Sequence, residues 1–354
     1  MMYETYRTLF AVSLLFLPYL FFRYFLLCLF AYVIYKIVRY IYIRNYERRV
    51  SPKGRGVFIT GCDSGLGFLF AKHFDELGFT VFAGCLHKQG EGADALSKQS
   101  SGKIHVVQID VTDDQSIEDA FQYVSKHVPS NGLFGVINNA GMNMYGEVEL
   151  TPLSIYEKGF NVNLYGGIRV LKKFLPQIRQ SKGRIINVTS VHGLLSRPCQ
   201  SNYETAKHDF ETLSDSLRLE MKKFGVKVIV IEPGMYGTCT SVQSKAMTQR
   251  NINEIDEMWN DTPEHVKKDY TKEYMLSWLP KPMAEWPPPK HLATPVVMVA
   301  EHALCSEFPE TRYLVDGYGN RLSFIDEFAV QARLFNKVPT WVADLWMIHD
   351  HMKN

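Results

Sequence analysis

From Leu9 to Tyr35 the chain is apolar at almost every position, interrupted by Arg23 and a few small or polar residues, with Pro18 in its middle. One helix over that stretch would extend roughly 40 Å, enough to span a bilayer with tilt. Two shorter halves meeting near Arg23 would make an interfacial hairpin instead. Beyond Arg55 the pattern changes to short, β-branched apolar runs separated by amphipathic stretches. The runs predict strands over Val57–Thr60, Thr80–Cys85, Ile104–Asp110, Phe134–Asn138, Arg184–Val188, Lys227–Glu232 and Arg312–Asp316. Helical periodicity predicts Gly67–Leu77, Ser116–Val128, Leu164–Ile178 and Asn202–Phe224. Buried strands alternating with helices imply an α/β fold, a doubly wound parallel sheet of about seven strands covered on both faces.

The rhythm breaks between Cys239 and Pro295, a stretch richer in Trp and Pro that ends in 286-WPPPK-290. It reads as an irregular insertion or lid, not a second domain. The expected organisation is therefore a membrane anchor over 1–50, a main domain over 51–335 with its lid at 239–295, and a tail helix over 336–354. On that tail Trp341, Leu345 and Ile348 share a helix face.

Charge and cysteine content narrow the classes. At 354 residues the chain can bury one large core, and a net charge of +2 without a long Lys/Arg run gives no reason to expect nucleic acid. Six cysteines without paired spacing suggest reduced thiols and no metal site. After the apolar run come Lys36, Arg39, Arg44, Arg48 and Arg49, interleaved with Tyr35, Tyr40, Tyr42 and Tyr46. Tyrosines at headgroup level with cations beyond them make a membrane–water boundary, and the positive side places the body in the cytosol. The run is too long for a cleaved signal peptide, and Met1–Phe10 holds only Arg7 against Glu4, unlike a mitochondrial leader.

Candidate chemistry begins at 60-TGCDSGLG-67, the turn after the first predicted strand. In an open parallel sheet that turn receives a dinucleotide pyrophosphate on the helix N-terminus. Gly61 can make the tight turn, Gly65 lets backbone approach phosphates, and Gly67 permits close helix–strand packing. Asp110 in 108-QIDVTD-113 could accept from an adenine amino group, with Asp113 the better helix cap. In 138-NNAG-141 the amides can brace strands or touch a ribose. Ser190 ends the strand 184-RIINVTS-190, and 203-YETAK-207 puts Tyr203 and Lys207 on one helix face. A phenol with pKa ~10 is a poor proton shuttle at neutral pH, but an adjacent ammonium lowers that value. Ser190 can then hydrogen-bond a substrate oxygen while Tyr203 moves its proton.

Thr60–Gly67, Asn138–Gly141, Ser190, Tyr203 and Lys207 together resemble the short-chain dehydrogenase/reductase family, strongly over Gly56 to Thr240 and more loosely beyond. The resemblance implies a Rossmann-like fold, a nicotinamide cofactor and interconversion of hydroxyl and carbonyl groups. It implies that Asn163 in 161-NVNLYGG-167 anchors a proton-relay water, completing a catalytic set with Ser190, Tyr203 and Lys207. It implies a cofactor wall of Gly61, Asp63, Ser64, Gly65, Leu66, Gly67, Cys85, Leu86, Asp110, Val111, Asn139, Ala140 and Gly141, joined by Tyr203 and Lys207. Pro233 and Gly234 of 232-EPGMYGT-238 match the turn lining the nicotinamide, and Thr238 the hydroxyl at its carboxamide. A homodimer is expected by family analogy only.

Within the family, 61-GCDSGLG-67 and 81-VFAGCL-86 are similar to the branch of retinol, hydroxysteroid and D-3-hydroxybutyrate dehydrogenases. The stretches 78-GFTVFAGCLHKQG-90 and 259-WNDTPEHVKKDYTKEY-274 lean toward the hydroxybutyrate enzyme, the anchor toward the steroid and retinol enzymes. The expectation is an NAD-dependent dehydrogenase of a lipophilic steroid or retinoid, held in the endoplasmic reticulum membrane with its catalytic domain cytosolic. The alternative is (R)-3-hydroxybutyrate oxidation, with a mitochondrial location; a catalytically silent, nucleotide-bound scaffold is a remote third. Ser64 and Leu86 stand where NADP users commonly hold a cation, and Asp63 would repel a 2′-phosphate. Cys85 stands where many NAD users place an acid, and His87 and Lys88 leave NADP as a second cofactor. Met235, Tyr236, Met247, Met258 and Trp259 could form an apolar slot. Lys245 or Arg250 could pair with a carboxylate, and His192 would line the pocket.

Overall fold

The computed structural model describes residues 18–35, 37–38, 41–42, 48–283 and 286–315. They form two compact units, one of the described residues up to Val50 with Ser306–Phe308, the other of Ser51–Cys305 with the residues from Pro309 on. The first unit carries helix α1, Pro18–Tyr35, whose 18 residues have a mean hydropathy of 1.6 and are not buried. At 1.5 Å per residue it measures about 27 Å, close to the hydrocarbon thickness of a bilayer. By length and composition it can cross a membrane.

The second unit is a seven-stranded parallel sheet in the order β3-β2-β1-β4-β5-β6-β7. Its strands are β1 Gly56–Thr60, β2 Thr80–Cys85, β3 Ile104–Gln108, β4 Leu133–Asn138, β5 Arg184–Val188, β6 Lys227–Pro233 and β7 Arg312–Val315. Helices α2 Gly65–Leu77, α3 Glu91–Gln99, α4 Asp114–His127, α5 Leu153–Phe160, α6 Gly167–Gln180, α7 Ser201–Met221 and α10 Lys290–Cys305 connect and cover them. Every residue of β1, β4 and β5 is buried, as strands covered on both faces require. On one face Phe58 stacks on Phe174 with ring centroids 4.6 Å apart, within a cluster that includes Phe82, Val136, Phe210 and Val228. The chain builds outward from β1 to β3, then returns to place β4 on the other side. That reversal opens a crevice at the carboxyl ends of β1 and β4.

Where elements differ from expectation, side chains supply the reason. β3 stops at Gln108 instead of reaching Asp110, because the Asp110 N–H donates to Ser116 Oγ and its carboxylate accepts from Thr112 N and Oγ1. Asp113 caps α4 by accepting from Gln115 N at 3.0 Å, as expected. Helix α6 begins at Gly167 because Asn161–Gly166 winds as a π-helix. α7 ends at Met221, and a 3₁₀ turn over Lys222–Phe224 closes on Gly225 at φ 72°. β7 is described only to Val315; the expected tail helix, Lys36, Arg39, Tyr40, Arg44 and Tyr46 lie outside the described residues.

The expected irregular insertion is largely helical. α8 spans Lys245–Asp261, opened by Ser244 Oγ accepting from Met247 N, and α9 spans Lys272–Ser277, opened by Thr271. Ile255, Met258, Met275 and Trp278 pack with Leu150 and Cys199 into a separate cluster, with Trp259 against it. Met258 is therefore lid core and not part of an apolar slot. The boundary drawn at 295 falls inside α10.

Between α6 and β5, Lys182 holds φ at 47°, a left-handed conformation that costs an L-residue about 1–2 kcal/mol. Lys182→Gly should raise the melting temperature by about 2–4 °C, measured by thermal unfolding of the full chain. An unchanged or lower value would contradict stored strain at this turn.

Candidate active site

The glycine turn is built as its sequence suggests, with a difference of emphasis. Gly61 and Gly65 both lie at positive φ, 70° and 61°, so each is required by conformation as well as by space. A Cβ on Gly67 would sit 2.2 Å from Gly61 O, which makes Gly67 the packing glycine. Thr60 Oγ1 accepts from the N–H groups of Asn139 and Ala140, and the Asn139 amide donates to Thr60 O at 2.9 Å and Gly61 O at 3.2 Å. Asn139 thus braces the two strand ends. Asn138 does likewise to Asn187, which in turn donates to Ser214 on α7.

Asp63 departs from its expected role as a bare repelling charge. Its two carboxylate oxygens accept from Leu86 N and His87 N, each at 2.9 Å. Those are the backbone donors just beyond β2, so the acid both fills and neutralises them. Cys85 is buried beneath, and burial followed by the nearby Asp63 pushes its thiol up to about 12.

Ser190, Tyr203 and Lys207 converge at the ends of β5 and α7. Ser190 and Tyr203 share a hydrogen bond, and Lys207 Nζ lies 5.6 Å from the Tyr203 ring centroid while donating to Val188 O at 3.1 Å. A Cβ on Gly141 would meet Asn163 Oδ1 at 3.1 Å and Lys207 Nζ at 3.5 Å, so the missing side chain leaves room beside both. Asn163 itself is tied at both ends to Met142, accepting from its N–H and donating to its carbonyl, each at 2.9 Å. In the chain by itself burial dominates both groups, and for the phenol it outweighs the Ser190 hydrogen bond. Desolvation pushes the Tyr203 phenol up to about 12 and Lys207 down to about 8, partly offset for the lysine by Glu211. Burial thus holds the phenol above its ordinary value in the chain by itself, the opposite direction from that expected of a neighbouring ammonium alone.

One cavity of about 1890 Å³ joins these parts, well above the ~300–1,000 Å³ of an ordinary small-molecule pocket. Gly61, Asp63, Ser64, Gly65, Leu66, Leu86, Asp110, Val111, Asn139, Ala140, Gly141, Ser190, Tyr203, Lys207, Pro233 and Gly234 line it. Gly67, Cys85, Asn163 and Thr238 stand behind or beside its wall, outside the lining. The open turn, the glycines whose Cβ atoms would fill it and the roominess of the cavity fit a dinucleotide with space left for a substrate.

Several wall residues carry no motif and were missed from sequence. Lys158, Arg197 and Lys281 line the cavity with the anticipated His192 and Arg250, as does Tyr145. His192 Nδ1 lies 2.9 Å from Glu204 Oε1, and Glu204 also accepts from Arg197 N through both oxygens. Arg250 Nη2 donates to Asn143 O and to Asn251 Oδ1, with Nε 3.5 Å from Glu254, which Lys158 also pairs at 2.6 Å. Cys239 and Thr240 lie over the glycine turn, 3.3 Å from where a Gly65 Cβ would be. The only sequence signal for them was their place in the stretch that broke the α/β rhythm.

Residues 55–250 match the family model described as short chain dehydrogenase. The chain is 38% identical over 275 residues to D-beta-hydroxybutyrate dehydrogenase, mitochondrial, of Bos taurus, covering 76% of this chain and 79% of that one. It is 35% identical over 287 residues to estradiol 17-beta-dehydrogenase 2 of Mus musculus, 80% and 73% of the two chains. It is also 35% identical over 291 residues to retinol dehydrogenase 5 of Homo sapiens, 81% and 88%. A solved short-chain dehydrogenase from Streptomyces avermitilis shares the fold, with a TM-score of 0.57 at 21% identity over 85% of this chain and 100% of that one. The chain belongs to the short-chain dehydrogenase family, and is a dehydrogenase of CH–OH groups using NAD or NADP.

Gly67→Ala should lower the melting temperature and weaken NADH binding at least about tenfold, since backbone must move to admit the methyl group. Thermal unfolding and NADH titration check this; wild-type values in both would contradict the packing role.

Proposed function

We propose that this chain is an NAD-dependent dehydrogenase that interconverts a hydroxyl and a carbonyl on a lipophilic molecule such as a steroid or retinoid. The observation that carries the reading is the meeting of Ser190, Tyr203 and Lys207 in the same cavity as the glycine turn. A nicotinamide ring held there supplies the hydride acceptor and, when oxidised, a positive charge. Ser190 Oγ orients the substrate oxygen, Tyr203 takes or returns its proton, and Lys207 stabilises the phenolate. With both ends of the Asn163 side chain bonded to Met142, a relay water would be held by backbone that the π-helix frees from ordinary pairing. Asp63 supports NAD, because a 2′-phosphate would meet a carboxylate that already occupies the Leu86 and His87 donors.

Helix α1 supports attachment to a membrane, with Arg48 and Arg49 on the cytosolic side. In this reading residues 1–50 are the anchor, the domain over 51–335 is cytosolic with its lid at 239–295, and the membrane is that of the endoplasmic reticulum.

A second reading, oxidation of (R)-3-hydroxybutyrate, is favoured by one feature of the wall. Beside the acids Asp63, Glu91 and Asp110, four cations besides Lys207 line the cavity: Lys158, Arg197, Arg250 and Lys281. Arg250 Nη1 makes no hydrogen bond among the described residues. Such a wall would attract a carboxylate.

The full chain, supplied with NAD and a panel of estradiol, retinol and (R)-3-hydroxybutyrate, decides between them. Turnover of the lipophilic alcohols, reduced at least about 100-fold in Tyr203→Phe, is the expected result. Turnover of the small acid alone would replace the first reading with the second. NADH binding without turnover of any member would favour a silent scaffold. In the same assay Asp63→Ser should shift selectivity toward NADP by about tenfold; an unchanged ratio would remove Asp63 from cofactor choice.

A further inference from the structure

Helix α7 carries acids and bases at a spacing of four, Tyr203, Lys207, Glu211 and Asp215, so that all four share one face. Family motifs account for the first two. Glu211 is buried, 5% exposed, and its surroundings are specific. One carboxylate oxygen accepts from Thr189 Oγ1, the other from Arg312 on β7. Arg312 also donates to Glu232 on β6 at 2.9 Å and to Asp215 at 2.7 Å, and Arg218 pairs with Asp215 at 3.2 Å. Arg312 and Arg218 thus pair with Glu211, Glu232 and Asp215, and Lys207 stands one helical turn from Glu211 at the cavity wall.

Two contacts tie this set to the reacting groups. Thr189 is flanked by Val188, whose carbonyl receives Lys207 Nζ, and by Ser190, the partner of Tyr203. Gly193, in the turn after Ser190, packs so closely that its Cβ would lie 3.0 Å from Glu211 Cγ. An acid buried this deeply is costly unless it has a charge to answer; Arg312 bonds it and Lys207 lies one helical turn away.

We propose that Glu211 is a positioning residue of the active site, supplying the counter-charge that keeps Lys207 an ammonium and fixing, through Thr189, the strand end that bears Ser190. The groups facing it are Lys207 and Asp215 on α7, Thr189 just beyond β5, Glu232 on β6 and Arg312 on β7. Burial drives Lys207 down to about 8, and Glu211 is the charge that opposes this. Burial and Glu232 raise Glu211 itself to about 7, against the pull of Thr189 and Arg312. Removing the negative charge disfavours the ammonium, so Lys207 would lose its proton at lower pH and Tyr203 would lose its neighbouring cation there. The inference rests on the reading of Lys207 as the residue that stabilises the Tyr203 phenolate.

The test reads Lys207 directly. The full chain is acetylated with trace acetic anhydride across a pH series, and the label on the Lys207 peptide is quantified by mass spectrometry. In Glu211→Gln, which preserves shape and an acceptor for Thr189, the midpoint should fall by about one pH unit with NADH affinity retained. In Glu211→Asp, which keeps the charge, it should stay near that of the wild type. An unchanged midpoint in Glu211→Gln, or equal shifts in both variants, would overturn the proposal. If Glu211→Gln fails to bind NADH, Arg312→Gln is read instead. Glu211 then holds its proton to higher pH, so the Lys207 midpoint should again fall, and an unchanged midpoint would overturn the proposal. Labelling does not depend on turnover, so its failure and failure of the dehydrogenase reading are separable.

Discussion

The structure depends on keeping an ammonium charged in a place where burial disfavours it. Lys207 is 4% exposed and must lie close to the Tyr203 ring without losing its proton. Burial deprives it of much of its hydration, so nearby protein groups matter to its charge. The Val188 carbonyl accepts from it, and the Glu211 carboxylate is the charge that offsets its burial. Because the helix that carries Tyr203 and Lys207 also carries Glu211, the spacing of one helix sets the chemistry.

The site lies where the strand order reverses. At the crevice between β1 and β4, backbone from the glycine turn, Asn139 and Ala140 approaches closely, and Thr60 bonds both strand ends together. The same crevice is roofed by Cys239 and Thr240, which lead into the helical lid. Asp63, Glu91 and Asp110 line the cavity together with the cations Lys158, Arg197, Arg250 and Lys281 and the apolar Met235, Tyr236, Met247 and Trp278.

Much of this was legible from residues alone, for physical reasons. The strands read cleanly because burial on both faces makes them continuous apolar runs, and Thr80–Cys85 and Arg184–Val188 have the predicted ends. The glycines read cleanly because positive φ and close approach leave one residue type suitable. The π-helix at Asn161–Gly166 did not, since nothing in 161-NVNLYGG-167 departs from an ordinary helical pattern. Helices α3 and α5 were missed for shortness, and α8 because its apolar residues pack on a small separate cluster and not on the sheet. Glu211 and Arg312 lie 101 positions apart, so only the fold reveals them as partners. Asp63 shows a subtler limit: its sign was readable, but its grip on two backbone N–H groups was not.

The most direct test of the central claim is the ionisation of Tyr203 in the NAD-loaded chain, followed through a carbon-13 label at its Cζ and assigned with Tyr203→Phe. If Lys207 supplies the cation that makes the phenol usable, the Tyr203 midpoint rises by at least about one pH unit in Lys207→Met. The same midpoint with and without the lysine would contradict the account.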